Sequence, residues 1–335
     1  MKKTRKWLTI LMATALTLGA LSACGGKNSN TEDQVKEVNQ AGNESPPESE
    51  GSELASTQLF TDWSGHSVEV PTQPKRVIFH GETTGDLAAL GVSPVGIMLS
   101  SVEGTLSMAH FQDAQDVGFP FNVEKALELN PDLIIFGNSD EAQYEQISKV
   151  APTVTFDTFG SLDERLTKLG QLLGKQEEAK QWLESYHEKE TAMWKTIREG
   201  GIGEEETATV FTMYPGNRLF AMANTGLSQI LYDEGGMKPT PLVQEALDAG
   251  QGFVEISLEK LSDYAGDHIF LLTPVDAEAV GDMEQLEKSQ VWSGLDAVKK
   301  GKVYKFGLLE AYSDALSREW LIQQLPKVLL ESEQN

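Results

Sequence analysis

One pattern occurs twice in this chain, and it constrains the fold more than any other feature. The first copy runs from Val123-Glu124-Lys125-Ala126-Leu127, through Pro131-Asp132, to Leu133-Ile134-Ile135-Phe136. The second runs from Ser257-Leu258-Glu259-Lys260-Leu261 to His268-Ile269-Phe270-Leu271-Leu272. Each reads as a helix, an aspartate-containing turn and a short apolar strand. Apolar runs this short, bounded by turn residues, fit strands buried on both faces. Strands that alternate with helices predict parallel α/β architecture. Two copies predict two lobes built alike, with Glu124 and Glu259 in equivalent places. About 280 residues follow the N-terminal leader and tether, near the roughly 250–300 at which single cores stop growing.

Other segments fill in the lobes. Arg76-Val77-Ile78-Phe79, Val95-Gly96-Ile97-Met98 and Val154-Thr155-Phe156 read as strands of the first lobe, over 57–160. Thr84 to Leu90 reads as a helix ended by Gly91, and Asn122 is placed to N-cap the helix of the first repeat. Thr209 to Met213 opens the second lobe, over 201–335, as a strand. Between the lobes, 161–200 keeps helical spacing through Leu162, Leu166, Leu169 and Leu173, then Ala179, Trp182, Leu183, Tyr186, Met193 and Ile197. One helix there would make a strut of ~50 Å; two helices broken at Gly174 fit the same residues.

The N-terminus addresses the compartment. Lys2, Lys3, Arg5 and Lys6 precede an uncharged run from Trp7 to Ala20, too short to span a bilayer. Residues 1–23 read as a signal peptide. Leu21-Ser22-Ala23-Cys24 resembles a bacterial lipobox, which implies a diacylglycerol thioether at Cys24. Cys24 is the only cysteine, so the chain folds without an internal disulfide. Residues 24–56 carry almost no large apolar side chain and read as a disordered tether. The expected location is the outer face of the cell membrane, held by lipid. A formal charge of −24 disfavours nucleic acid and anionic lipid as partners.

Enzymatic motifs fail. Gly170 to Lys175 is one residue short of a phosphate loop, and Gln176 stands where a Ser or Thr is needed. Gly226-Leu227-Ser228 lacks the second glycine of a nucleophile elbow. His66, His80, His110, His187 and His268 show no metal-ligand spacing. His187 reads as a solvated helix residue and His268 as structural. Neither a cofactor nor a protein-held metal is expected, and an ATPase would be a separate chain.

Several segments together resemble the iron–siderophore substrate-binding proteins of ABC importers. They are Asp62-Trp63-Ser64-Gly65-His66 through Pro71, Pro74 to Ile78, Gly85-Asp86-Leu87-Ala88-Ala89-Leu90-Gly91, Pro131 to Ile135, and Trp292 to Tyr304. Ser313-Asp314-Ala315-Leu316-Ser317 resembles the ferric-hydroxamate branch, whereas Glu310-Ala311 stand where that branch often has an aromatic. The resemblance covers about 58–330. It implies an α/β fold of two Rossmann-like lobes with parallel sheets, joined by a long inter-lobe helix, with the ligand in the cleft between them. It implies that Glu124 and Glu259 dock on the two permease subunits. The implied cargo is a ferric siderophore, and a monomer is expected.

A siderophore already fills the six coordination positions of its iron, so the protein must supply aromatic walls and a few donors. Residues following cleft-facing strands are the candidates: His80, Glu82, Thr83 and Thr84; Asn138 and Ser139; Tyr214 and Arg218; and Tyr312. Arg218 is the expected donor to hydroxamate oxygens, because its guanidinium presents a fixed fork; a solvated turn arginine is the plain alternative. His80 fits a core histidine equally, and Thr83 a helix cap. Few basic residues occupy these positions, which favours neutral or cationic hydroxamates over anionic catecholates. Rival readings are a haem or cobalamin receptor, with His80 or Met213 as axial ligand, and an exported enzyme.

Overall fold

The computed structural model describes residues 56–331. The leader, Cys24 and the tether up to residue 55 lie outside the described residues. An antiparallel hairpin, β1 (Thr57–Thr61) with β2 (Ser67–Pro71), begins the described chain. The first lobe then builds a sheet from β3 (Val77–His80), β4 (Gly96–Ile97), β5 (Gln115–Asp116), β6 (Leu133–Phe136) and β7 (Thr153–Thr155). Its order is β5-β4-β3-β6-β7, and every pairing is parallel. Every residue of β3 and β6 is buried, as continuous apolar runs covered by helices on both faces require.

Three short helices accompany this sheet: α1 (Gly85–Ala89), α2 (Val123–Glu128) and α3 (Glu141–Ile147). Gly91 follows α1 at φ 66°, a left-handed position at which glycine carries no Cβ penalty. The Asn122 side chain accepts the Lys125 amide at 3.0 Å and caps α2.

The connecting segment 161–200 resolves into two helices, α4 (Leu162–Leu173) and α5 (Gln176–Glu199), not one strut. Gly174 ends α4 in the left-handed region, φ 66° and ψ 35°. The chain folds back at once. A Cβ on Gly170 would lie 2.8 Å from the Ala179 methyl, and His187 Nε2 meets Asp163 Oδ1 at 2.9 Å. The pair is a helical hairpin, of which the 24-residue α5 forms the long arm, ~36 Å at 1.5 Å per residue.

The second lobe carries β8 (Thr207–Tyr214), β9 (Arg218–Met222), β10 (Lys238–Pro239), β11 (Phe253–Ile256), β12 (His268–Thr273) and β13 (Val303–Gly307). The order is β11-β9-β8-β12-β13, with β10 beside β8. Here the expectation of parallel sheets needs correction. β8, β12 and β13 are parallel, but β9 runs antiparallel to β8, and β11 antiparallel to β9. The cause is Pro215-Gly216-Asn217, with φ 85° at Gly216 and 57° at Asn217. Three residues close a hairpin, whereas a parallel crossover takes a dozen or more. The second repeat is also more irregular than the first: a 3₁₀ turn, Leu258–Lys260, leads into a helix of one turn, Leu261–Tyr264.

The largest core cluster includes Phe79 and Ile135 of the first sheet, Leu166 and Tyr186 of the hairpin, Leu325 of the C-terminal helix (Ala315–Glu331), and Phe270 of the second sheet. The C-terminal helix packs on α1 and α5. Where it begins, fully buried Arg165 pairs with fully buried Asp86, Nε to Oδ2 at 2.8 Å. Arg165 also donates to the Ser313 carbonyl at 2.6 Å and the Gly160 carbonyl at 2.7 Å. Asp86 Oδ1 accepts the Ala315 amide at 2.8 Å. This knot ties α1, α4 and the C-terminal helix. A core shared by both lobes limits how far they swing. Among the described residues, no helix is long and apolar enough to cross a membrane.

Candidate ligand-binding cleft

Parallel strands collect ligands beyond their carboxyl ends. In the first lobe, β3, β6 and β7 end in loops 80–84, 137–139 and 155–159. The first two loops pass backbone against backbone: a Cβ on Gly137 would sit 2.8 Å from Gly81 Cα and 3.0 Å from the His80 carbonyl oxygen. In the second lobe, the hairpin β8–β9 and the segment after β13 face the same space. The lobes meet at one end of it. Asn224 Nδ2 donates to the Phe159 carbonyl at 3.0 Å, and a Cβ on Gly252 would strike the Phe159 ring at 2.7 Å.

The antiparallel strands make the most distinctive wall. Residues opposite one another, and residues two apart along a strand, share a sheet face. Tyr214 lies opposite Arg218, Phe220 opposite Glu255, and Met222 opposite Phe253. These six side chains therefore stand on one face. The Tyr214 and Phe253 rings meet Phe220 edge-on, with centroids 5.1 and 5.7 Å away. Tyr214 and Phe253 remain 43% and 48% exposed, large aromatic surfaces with no protein cover. The hollow they line holds about 240 Å³. That is less than the ~300–1,000 Å³ of sites that bury whole ligands, so it fits one part of a larger cargo. A second hollow, of about 490 Å³, flanks the ends of β6 and β7 and is lined by Trp63, Asn138, Ser139 and Phe159 among others.

Three of the expected residues converge electrostatically. The Glu82 carboxylate from the first lobe acts on the phenols of Tyr214 and Tyr312. Burial, reinforced by Glu82 and Tyr214, pushes the Tyr312 phenol up to about 12. Tyr214 is also raised, by restricted hydration and then by Glu82. Both phenols stay protonated near neutrality and can donate to ligand oxygens. Glu82 reaches solvent, yet the cleft walls thin its hydration and hold its carboxyl above the usual range.

The remaining candidates divide. Arg218 lies over the Phe220 ring at 5.1 Å, and its Nε and one Nη bind Glu255 at 3.1 and 2.6 Å. Its positive charge is therefore already matched. Asn138 is exposed and accepts the Asp140 amide at 2.9 Å, which leaves its own amide available. Thr83 is buried at 1% exposure, and its hydroxyl has no partner. Thr84 is equally buried, and its hydroxyl donates to the Gly81 carbonyl at 3.3 Å. His80 is turned inward among Phe119, Phe121 and Phe136, with Nε2 donating to the Gly118 carbonyl at 3.0 Å. Burial lowers its pKa. Met213 is 1% exposed in the second lobe's own core. Neither is presented to the cleft as an axial haem ligand. Among the described residues, no group of three or more His, Cys, Asp or Glu is placed to hold a metal ion.

Glu124 lies in the first turn of α2, and Glu259 in the 3₁₀ turn of the second repeat. Both are exposed, and neither forms a hydrogen bond or ion pair within the described residues. Phe220, Phe253 and Glu255 escaped the sequence reading. Their signal was the alternation Phe253-Val254-Glu255-Ile256, which marks a half-exposed edge strand and not another buried parallel one.

Comparison with known proteins agrees with this architecture. The chain is 30% identical over 319 residues to the iron(3+)-hydroxamate-binding protein FhuD of Bacillus subtilis, covering 94% of this chain and 95% of that one. It is 27% identical to the Bacillus subtilis iron(3+)-hydroxamate-binding protein YxeB, covering 90% and 89%. Among solved structures, Staphylococcus aureus FhuD2 with bound ferrioxamine B superposes with a TM-score of 0.68 at 27% identity, covering 77% of this chain and 99% of that one. Staphylococcus aureus SirA complexed with staphyloferrin B gives 0.73 at 26%, covering 82% and 98%. Residues 77–307 match the family model described as periplasmic binding protein, and the chain belongs to that family.

Proposed function

We propose that this protein is the extracellular substrate-binding component of an ABC importer. It captures a ferric siderophore of the hydroxamate class and delivers it to a membrane permease served by a separate ATPase. The observation that carries this reading is the shared sheet face of Tyr214, Arg218, Phe220 and Phe253, with the protonated phenol of Tyr312 close enough to Tyr214 to feel it. An iron whose coordination is complete needs this kind of site: aromatic surface for the organic shell, and neutral donors for the chelating oxygens. Thr83, Asn138, Tyr214, Arg218 and Tyr312 are the proposed contacts. The relatives named for iron(3+)-hydroxamate binding, and the neighbour holding ferrioxamine B, support the same cargo. His80 and Thr84 are better used as parts of the scaffold.

In the same reading, lipidation at Cys24 holds the protein to the outer face of the cell membrane. Glu124 and Glu259, one on each lobe, enter basic pockets of the permease, where paired charges fix orientation and raise the on-rate. The deciding experiment is a tryptophan-fluorescence titration with ferric hydroxamates, the same chelators without iron, haem and cobalamin. Saturable quenching by a ferric hydroxamate alone supports the reading. Binding of haem or cobalamin with indifference to every siderophore overturns it. For docking, Glu124→Ala with Glu259→Ala is expected to keep affinity and abolish most uptake in cells, and normal uptake would remove both residues from that role.

A further inference from the structure

The charges at the cleft do not balance. The loops at the strand ends, over 80–84, 137–139, 155–159, 214–218 and 307–314, contain Glu82, Asp157, Glu310 and Asp314. Against them stands one full cation, Arg218, and Glu255 already holds it through two hydrogen bonds. His80 is buried, and burial favours its neutral form. Three of the four acids are occupied locally. Asp157 accepts the Phe159 amide at 2.9 Å, Glu310 the Gly307 amide at 3.3 Å, and buried Asp314 the amides of the C-terminal helix. Glu82 differs. It forms no hydrogen bond or ion pair within the described residues, its side chain is exposed, and its field reaches Tyr214 and Tyr312 on the far wall.

We propose that Glu82 selects for charge, so that the cleft favours ferric hydroxamates bearing a pendant ammonium over neutral or anionic chelates of the same shape. This rests on the siderophore reading above and narrows it. The carboxylate has no partner within the described residues, and a ligand ammonium would supply one beside cleft walls that already thin its hydration. An anionic chelate would meet the same carboxylate as a repulsion, which discriminates without any added contact. The formal charge of −24 works in the same direction at longer range.

The test compares two complexes that differ at one atom: ferrioxamine B, whose terminal amine is protonated, and its N-acetyl derivative, which is neutral. Both are titrated by fluorescence into the wild-type protein and into Glu82→Gln. The wild type is expected to bind the cationic complex roughly five- to tenfold more tightly, with the gap shrinking as salt is raised. Glu82→Gln is expected to bind both alike, at the wild-type affinity for the neutral complex. Because the side chain is exposed, the variant should melt with the wild type. Equal wild-type affinity for the two complexes overturns the proposal and leaves the siderophore reading standing. So does a preference that survives in Glu82→Gln. A wild-type protein that binds neither complex overturns the hydroxamate reading, and this inference with it.

Discussion

The two lobes reach one cleft by different means. The first lobe presents the ends of parallel strands, where backbones pass so closely that Gly137 leaves no room for a Cβ, and where Thr84 spends its hydroxyl on the Gly81 carbonyl. The second lobe presents the broad face of antiparallel strands, with Tyr214 and Phe253 standing half exposed. One wall is fixed by the main chain and the other is made of side chains. Side chains change without disturbing a fold, so the aromatic wall is where cargo preference can be tuned. The first lobe instead supplies a frame and one unpaired charge, Glu82.

The sharpest way to break this contrast is at the knot that secures the frame. Arg165→Ala leaves Asp86 and Asp314 buried without their guanidinium. It is expected to destabilise the protein by about 3–5 kcal/mol in urea unfolding, and a loss under 1 kcal/mol (about the surface ion-pair range) would show the frame is held elsewhere. Next comes pH. Burial, with Asp86 nearby, pushes the Asp314 carboxyl to about 6 from the ordinary 3.8. The folded state then keeps a proton that the unfolded chain releases. Relative to Asp314→Asn, the wild type should gain stability as pH falls from above 6 toward 4, on the order of 2–3 kcal/mol, and lose it on the return. A difference between the two proteins that stays flat with pH would refute this.

Gly137→Ala forces a methyl against Gly81 and the His80 carbonyl, and about 1–3 kcal/mol of lost stability is expected from thermal unfolding. The smallest stability effect belongs to the other wall. Phe253→Ala should cost under about 1 kcal/mol, because the ring is half exposed, yet weaken ferric hydroxamate binding about tenfold by titration. If Gly137→Ala proves harmless and Phe253→Ala unfolds the protein, the division between frame and wall is wrong.

Much of the frame was readable from residues, because its signals are local. Leu133 to Phe136 is an unbroken apolar run behind Pro131-Asp132, and Asn122 three residues before Lys125 is a cap by spacing alone. The wall was harder to see. Arg218 and Glu255 are 37 residues apart, and only the antiparallel register brings them opposite each other. His80 ends a strand that points at the cleft, but nothing in the sequence reports that three phenylalanines enclose its ring. Asp86 stood inside a recognisable segment, Gly85 to Gly91. Its partner Arg165, 79 residues on, could not be matched with it by periodicity.

The hydrogen bond from the Ala315 amide to Asp86 spans 229 residues of chain. At synthesis rates of about 5–20 residues per second, Asp86 waits roughly 10–45 s for that partner to be made. Arg165 follows 79 residues after Asp86 and neutralises it, but until Ala315 is made the pair lacks its amide partner and the C-terminal helix that packs over α1. A fragment cut before the last helix inherits the same defect permanently, so removing the final seventeen described residues, though distant from the cleft, should be as damaging as cutting into it.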